Sequence, residues 1–183
     1  PGLKVIYPAF PEDAKGLLCA AINDPNPVLF FEHKALYRSI YQDVSDDYFT
    51  VEIGKASVLN EGSDITIISY GAGVQWALDT LKKNPEISAD LIDLRTLQPL
   101  DVETIYTSVR KTGKVIFLQE DSLFGSIASD VSALITENCF EALDAPVKRV
   151  ASLETPIPFQ GELEKQYLPK NRFVDELKKL LNY

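Results

Sequence analysis

One histidine and two neighbouring acids are the residues whose types are suited to catalysis. His33 is the only histidine in the chain, so any general-base or serine–histidine–aspartate mechanism within it must use this side chain. Glu120 and Asp121 follow an apolar run, at the edge where open α/β sheets place ligands. Two interpretations stay open for each. His33 is a catalytic base or an interface or surface histidine, and the two acids form a site or are solvated loop residues.

A glycine-containing turn is the second candidate for chemistry. Gly71-Ala72-Gly73 is followed by Asp93 at the end of the next apolar run, which partly matches the dinucleotide-binding pattern. Trp76 stands where that pattern places a third glycine, which lets the helix lie close to the strand. No GxxxxGK[ST] phosphate loop is present. Nucleotide binding and a plain tight turn are therefore the two interpretations of this stretch.

Repeated strand–turn–helix units are predicted to position these residues. Residues 65–68 are a β-branched run without alternation, which is typical of a parallel strand covered on both faces. From Val74 the apolar residues recur at helical spacing. Further strands are predicted at 89–94, 115–118 and 147–150. The sequence thus predicts an α/β fold of three layers, αβα, with a mostly parallel sheet.

Helix boundaries can be predicted from residues with known capping preferences. Asp101 is expected to cap the helix after the second strand, and Gly113 is expected to end it. Gly125 and Ser126 are expected to open the next helix. Residues 154–169 contain three prolines and are predicted to be irregular, with Asn171 capping the last helix.

The first third of the chain has a different pattern. Residues 3–7 are predicted to form a strand, residues 12–21 a helix that buries Leu17 and Leu18, and residues 28–31 a second buried strand. This unit is too short for an independent domain. We interpret it as the end of a domain and the whole chain as a fragment of a longer polypeptide. The following tract is rich in aromatic residues and acids, and is interpreted as a packed linker.

Composition limits the classes of partner. The net charge of −9 argues against a nucleic-acid surface and favours a basic protein partner. No apolar run approaches the roughly 18 to 20 residues that span a bilayer, so no membrane partner is expected. Cys19 and Cys139 have no metal-ligand spacing and are interpreted as two buried thiols.

Several stretches together resemble one enzyme family. The resemblance runs from Pro1 to Tyr183 and is to the beta subunit of the thiamin diphosphate-dependent 2-oxo acid dehydrogenases. The stretches that carry it are DAKGLL, DPNPVLFFEHKALYR, DLRTLQPLDVETI, SVRKTGKV and LDAPVKRV. FFEHKALYR, which lies within the second of these stretches, together with ENCFEALDAP and LLNY, resembles the branched-chain enzymes more than the pyruvate enzymes.

The resemblance implies a domain organisation and a set of cofactors. Residues 1–35 would be the C-terminal end of a transketolase-like pyrimidine-binding domain, 36–59 a linker, and 60–183 a transketolase C-terminal-like domain. Thiamin diphosphate and magnesium belong to the intact enzyme. The family's activating glutamate and active-site histidine lie upstream of Pro1, and no GDG motif occurs here. We therefore expect that this chain alone neither binds thiamin diphosphate nor decarboxylates a 2-oxo acid, and that His33 is not the family's catalytic histidine.

Two binding functions are implied residue by residue. Main-chain oxygens at Ala21, Asp24 and Asn26 match a potassium site of some family members. Asp144 and the terminal Tyr183 match the surface that binds the basic subunit-binding domain of the dihydrolipoyl acyltransferase. The other implied partners are the alpha subunit, or an alpha half of the same chain, and a second beta subunit. The implied location is the bacterial cytoplasm or the mitochondrial matrix.

Departures and alternatives accompany the resemblance. Gln119, Ser126 and Asp130 differ from the residues usual in the family, which affects details of one helix-entry loop. Transketolase and the deoxyxylulose-phosphate synthases share this C-terminal domain, but LDAPVKRV and DPNPVLFFE speak against them. A free-standing nucleotide-binding α/β domain is the alternative from a different functional class.

Overall fold

The computed structural model describes residues 2–183, so Pro1 lies outside the described part. The strands are β1 (Lys4–Ile6), β2 (Val28–Phe30), β3 (Ser57–Asn60), β4 (Ile65–Ser69), β5 (Ala89–Asp93), β6 (Thr96–Gln98), β7 (Val115–Leu118) and β8 (Lys148–Val150). The α-helices are α1 (Pro11–Asn23), α2 (Ala72–Lys83), α3 (Val102–Thr112), α4 (Ile127–Cys139), α5 (Gly161–Tyr167) and α6 (Lys170–Leu181). Short 3-10 helices lie at Leu36–Arg38 and Phe140–Ala142.

The larger sheet has the strand order β3-β5-β4-β7-β8. All neighbours pair in parallel except β3, which runs antiparallel along the edge beside β5. Every residue of β4, β5 and β7 is buried, and the burial of β4 confirms the prediction that residues 65–68 form a strand covered on both faces. These strands need cover on both faces, and this requirement determines the layers around the sheet.

Helices cover both faces of this sheet. On one face, α2 and α6 pack over Ile67 and Leu91, with Phe173 and Leu177 of α6 fully buried. On the other, α3 and α4 pack over strand residues that include Phe117. The predicted three-layer αβα architecture is therefore confirmed.

The helix boundaries predicted at Asp101, Gly113 and Ser126 are also confirmed. Asp101 precedes α3, and its carboxylate accepts hydrogen bonds from the backbone N–H and the hydroxyl of Thr104. Gly113 ends α3 in the left-handed conformation, at φ +69°. Ser126 precedes α4, although its side chain makes no capping hydrogen bond. These signals are local, so the sequence alone is sufficient to show them.

A small second sheet joins the first third of the chain to the rest. Its order is β2-β1-β6, with β1 parallel to β2 and antiparallel to β6. Arg95, just before β6, fixes the junction. Its guanidinium bonds Asp13 of α1 at 2.9 Å and the carbonyls of Lys55 and Ala56, and its own carbonyl accepts the Tyr7 N–H at 2.8 Å. The first segment is thus held by both backbone pairing and an ion pair.

Two burial predictions for the first segment are wrong. Residues 28–31 alternate between half-buried and exposed, and Leu18 is 43% exposed on α1, although Leu17 is fully buried. The small sheet is covered by α1 on one side, so it cannot enclose β2 as the three-layer sheet encloses β4. The apolar run at residues 28–31 predicted a buried strand, but only one face of the small sheet is covered by a helix, so the strand stays partly exposed.

Several short elements were missed in the sequence analysis. Strand β3 lies in the last part of the predicted linker, β6 follows β5 after a sharp turn, and α5 lies within the stretch predicted to be irregular. Asn171 is not a cap, because α6 begins one residue earlier, after Pro169, and the Asn171 amide bonds the Lys165 carbonyl instead. Within residues 2–183, no helix has both the length and the apolar character needed to cross a bilayer.

Candidate functional site

The carboxyl ends of β4 and β7 border a crevice between the two sheets. From β4 the chain crosses through α2 to β5, whereas from β7 it crosses through α4 to β8, on the opposite face and in the opposite direction. Such a switch point is where open α/β sheets place ligands. Tyr70 and Gly71 follow β4 here, and Glu120 and Asp121 follow β7.

The glycine turn packs closely against other parts of the chain. Gly71 has φ +54°, and a Cβ built there would lie 2.9 Å from the Tyr7 ring. A Cβ at Gly73 would overlap the Ser69 hydroxyl and lie 3.1 Å from the Leu118 carbonyl oxygen. Tyr7 therefore occupies the space that a phosphate would need beside the helix N-terminus. The turn fits a tight packing role, and it does not fit a nucleotide.

Asp93 is also unsuited to nucleotide binding. Its side chain is fully buried, one oxygen accepts the Arg95 N–H at 3.0 Å, and the other has no partner among residues 2–183. Burial raises its pKa from 3.8 to about 7, an effect to which the charge on Asp13 adds. The residue is a fully buried ionisable group in the junction between the sheets, so its carboxylate is not accessible to a ribose.

The structure brings His33 and Glu120 together. Nε2 of His33 lies 2.9 Å from a carboxylate oxygen of Glu120, although 87 residues separate the two in sequence. Both side chains are partly buried, and Nδ1 of His33 has no partner among the described residues. The hydrogen bond to Glu120 raises the His33 pKa against the opposing effect of burial. The geometry gives His33 a carboxylate partner, and both interpretations, a catalytic base and an interface or surface histidine, stay open.

Glu120→Gln tests this pair. We expect the pKa of His33 to fall, because the charged acceptor is lost while the burial that lowers the pKa remains. The chain has one histidine, so its ring resonance can be followed by NMR during a pH titration without ambiguity. Asp121→Asn, in the same loop, is the control and should change the value less. An unchanged pKa in Glu120→Gln would contradict the pairing.

Aromatic rings line the same crevice. The Tyr7 ring lies 6.0 Å from that of Phe31 and 5.5 Å from that of Tyr70, and Tyr70 contacts Phe117 edge-on. Burial, together with the charge on Glu120, raises the pKa of Tyr7 to about 12. Tyr7 and Tyr70 were not predicted as site residues, because each lies at the end of an apolar run that is typical of the buried core.

A second surface collects the residues that the sequence resemblance assigned to docking. Asp144 and Tyr183 line one groove of about 1080 Å³ beside α4. The N–H of Asp144 donates to the Gly113 carbonyl at 2.8 Å, and a Cβ at Gly113 would overlap the Asp144 carboxylate. The glycine that ends α3 thus also makes room for this carboxylate. Tyr183 follows α6 and is 74% exposed.

The groove is acidic and has an exposed aromatic ring. Glu137 and Glu141 lie in it with Asp144, and Phe140 is 70% exposed between them. Arg149 also borders the groove, but its guanidinium donates to the Ser129 hydroxyl at 2.6 Å and to a backbone carbonyl. Alternating acids and a lone aromatic ring on a surface turn give no clear sequence signal, so Phe140 and the two glutamates were missed.

The residues that the sequence resemblance matched to a potassium site lie at the end of α1. Asp24 follows the helix, and its N–H donates to the Ala21 carbonyl at 3.3 Å. The Asp24 carboxylate pairs with the Lys4 ammonium. It also accepts hydrogen bonds from the backbone N–H and the side-chain amide of Asn26. The hydrogen bond to Lys4 is the largest of the effects that lower the Asp24 pKa. The Asp24 carboxylate is thus already paired within the chain. The carbonyl groups at the end of a helix carry partial negative charge, so they attract cations.

The described residues do not suit a diphosphate with its magnesium ion. Such a group requires several oxygen ligands at the metal and N–H donors at the phosphates. In residues 2–183, no three or more histidine, cysteine, aspartate or glutamate side chains are grouped to hold a metal ion, and the Tyr7 ring fills the space beside the Gly71 turn. The described residues therefore do not form a site for the diphosphate and magnesium of thiamin diphosphate.

Comparison with solved structures supports the fold. A split-gene transketolase described as an inactive beta4 tetramer aligns with the whole chain and 58% of its own length, at a TM-score of 0.79 and 28% identity. The transketolase of Leishmania mexicana aligns at a TM-score of 0.63 and 18% identity over 26% of its length. The second likeness shows the fold alone.

Comparison with curated sequences supports the resemblance found in the sequence analysis. A mitochondrial 2-oxoisovalerate dehydrogenase subunit beta 2 of Arabidopsis thaliana is 45% identical over all of the chain and 51% of its own length. Two Bacillus subtilis beta subunits, of 2-oxoisovalerate and pyruvate dehydrogenase, are each 48% identical over 92% and 96% of the chain, and over 52% and 54% of their own lengths. The chain spans about half the length of these relatives. The transketolase C-terminal domain model matches residues 54–174, and the chain therefore belongs to that family.

Proposed function

We propose that this chain is the C-terminal portion of the beta part of a thiamin diphosphate-dependent 2-oxo acid dehydrogenase. The intact enzyme would decarboxylate a branched-chain 2-oxo acid and pass the acyl group to lipoamide. Beta subunits of such dehydrogenases are the relatives that support the class. The branched-chain preference rests on FFEHKALYR, ENCFEALDAP and LLNY. Cofactor binding is assigned to the other parts of the enzyme, because residues 2–183 contain no group of three or more histidine, cysteine, aspartate or glutamate side chains that could hold the magnesium ion.

The role proposed for this chain is to dock the acyltransferase. The observation that carries it is that Asp144 and Tyr183, from different elements, line one acidic groove. A basic subunit-binding domain would place lysine or arginine side chains near Asp144. It would also pack an apolar surface against the exposed Tyr183 and Phe140 rings. Opposite charge at such a surface speeds encounter and fixes orientation, while buried aromatic rings contribute most of the affinity.

A titration of the isolated subunit-binding domain into this chain tests the docking role. We expect Asp144→Asn and removal of Tyr183 each to weaken binding at least tenfold, about 1.4 kcal/mol. Asp43→Asn is the matched control, because Asp43 is exposed and lies outside the groove, so the same charge is lost elsewhere. Equal affinities for Asp144→Asn and Asp43→Asn would show that the groove is not the docking surface.

Subunit packing is the second proposed role, with the alpha part and a second beta subunit as partners. The support is a group of apolar side chains on α1 and β2 that face outward: Leu18, Ile22 and Leu29. Large exposed apolar patches on otherwise polar proteins mark interaction surfaces. The enzyme's location, cytoplasmic in a bacterium or in the mitochondrial matrix of a eukaryote, follows the same proposal.

A potassium ion at the end of α1 is the third part of the proposal. Main-chain oxygens of Ala21, Asp24 and Asn26 would bind it, which suits a hard cation. Titration with potassium chloride, against choline chloride at equal ionic strength, should shift the backbone amide resonances of residues 21–26 in a saturable way. Equal spectra in the two salts would contradict the site.

A further inference from the structure

A cleft of about 580 Å³ lies where the small sheet, the carboxyl edge of the large sheet and α5 meet. Its apolar wall includes the rings of Tyr7, Phe31 and Tyr70, together with Ile127 and Ile157. The cleft combines residues from the two ends of the chain and from the middle. Its size is suited to a small organic molecule or a single long side chain.

The charged groups around this cleft are all acidic. Glu120, Asp121 and Glu164 line it, and no lysine or arginine does in the described part of the chain. Glu120 is bonded to His33, whereas one oxygen of Asp121 accepts only the neighbouring Ser122 N–H. Glu164 makes no side-chain hydrogen bond or ion pair within residues 2–183. Two carboxylates of the three are therefore free to accept from a ligand.

Tyr70 presents an unpartnered polar group to the cleft. The residue is only 8% exposed, and its hydroxyl, which makes no hydrogen bond within residues 2–183, is accessible from the cleft that it lines. A donor in the cleft can therefore reach this hydroxyl. Burial raises the Tyr70 pKa, and the charges on Asp121 and Glu120 raise it further, so the hydroxyl lies within the negative field of the cleft. A positively charged N–H donor would both pair with this hydroxyl and match the field.

We propose that this cleft binds an organic cation, an ammonium or guanidinium group carried on a short apolar chain. The apolar chain packs against Phe31 and Ile157, and the cation lies near the tyrosine rings, whose faces attract positive charge. Asp121 and Glu164 accept its N–H groups, as does the Tyr70 hydroxyl. The cation comes either from a free small amine or from a lysine or arginine side chain of a partner protein. This binding is separate from the docking groove and does not depend on the proposed dehydrogenase function.

NMR titration with butylguanidinium tests the site, with butyramide as the neutral analogue of similar size. We expect saturable shifts of the Tyr7, Phe31 and Tyr70 ring resonances with the cation and at least tenfold weaker binding of butyramide. The double variant Asp121→Asn/Glu164→Gln should weaken the cation at least tenfold, and Tyr70→Phe should weaken it several-fold. Glu162→Gln is the matched control, because Glu162 lies on the same helix outside the cleft. Circular dichroism establishes that each variant is folded.

A second probe identifies the source of the cation. N-acetyl-arginine amide carries peptide groups on both sides, as an arginine within a protein does. Binding as tight as that of butylguanidinium would indicate a partner's side chain, and binding of butylguanidinium alone would indicate a free small amine. Butyramide binding as tightly as the cation would overturn the proposal. So would saturable shifts that the double variant leaves unchanged, or the absence of saturable shifts with either cation.

Discussion

Asp93→Asn is expected to stabilise the protein at pH 8 by up to about 4 kcal/mol relative to its effect at pH 4. The pKa of the Asp93 carboxyl is 3.8 in the unfolded chain and about 7 in the folded protein, where it is fully buried. The folded state therefore binds a proton that the unfolded state has released between these pH values. Stability from this group is fully present below pH 4 and is lost as the pH rises through 7, by about 1.4 kcal/mol for each pH unit. Asparagine stays neutral, so this loss disappears.

Urea unfolding of both proteins between pH 4 and pH 8 measures the effect. Subtracting the two stability profiles removes the contributions of the other ionisable groups, which the proteins share. Asp43→Asn, with the same chemical change at an exposed position, should give a difference that does not vary with pH. A constant difference for Asp93→Asn as well would show that Asp93 is ionised in the folded protein at neutral pH.

Phe173→Ala is expected to reduce the free energy of unfolding by about 3 to 5 kcal/mol. Phe173 is fully buried where α6 packs on the sheet, beside Leu177 and Ile67. The loss includes both the burial of the ring and the cavity that it would leave. Typical domains have only about 5 to 15 kcal/mol of stability, so the midpoint of thermal unfolding should fall sharply.

Phe159→Ala is the control for this prediction, because the Phe159 ring is fully exposed just before α5. Its removal should change stability by less than about 0.5 kcal/mol. The position of Phe173 also links stability to docking, since α6 carries the terminal Tyr183 into the acidic groove. A Phe173→Ala protein as stable as Phe159→Ala would mean that α6 does not pack on the sheet.

The central layers could be predicted because their signals are short-range. The run of β4 lacks alternation, and the residues of α2 recur at helical spacing. Asp101 and Gly113 act on backbone groups within one helical turn of themselves, so their effect does not depend on the rest of the fold. The enzyme family was also recognisable from the order of its motifs, which the curated relatives support.

Short edge elements could not be predicted for a physical reason. Strands β3 and β6 have few residues, and they form because a neighbouring strand offers unpaired backbone groups. Helix α5 begins where the Gln160 side chain accepts the Leu163 N–H, within a stretch whose prolines suggested irregular structure. Burial of β2 was predicted from its composition alone, but a sheet with a helix on one side leaves it partly exposed.

The chemistry-bearing residues divide in the same way. The sequence by itself determined which side chains were available: one histidine, a pair of acids after β7, and the two residues assigned to docking. The tertiary structure alone decided their partners. It placed His33 on Glu120, filled the space beside Gly71 with the Tyr7 ring, and brought Asp144 and Tyr183 to one groove. Contacts between residues so far apart in sequence arise from strand order and layer packing, which no local pattern encodes.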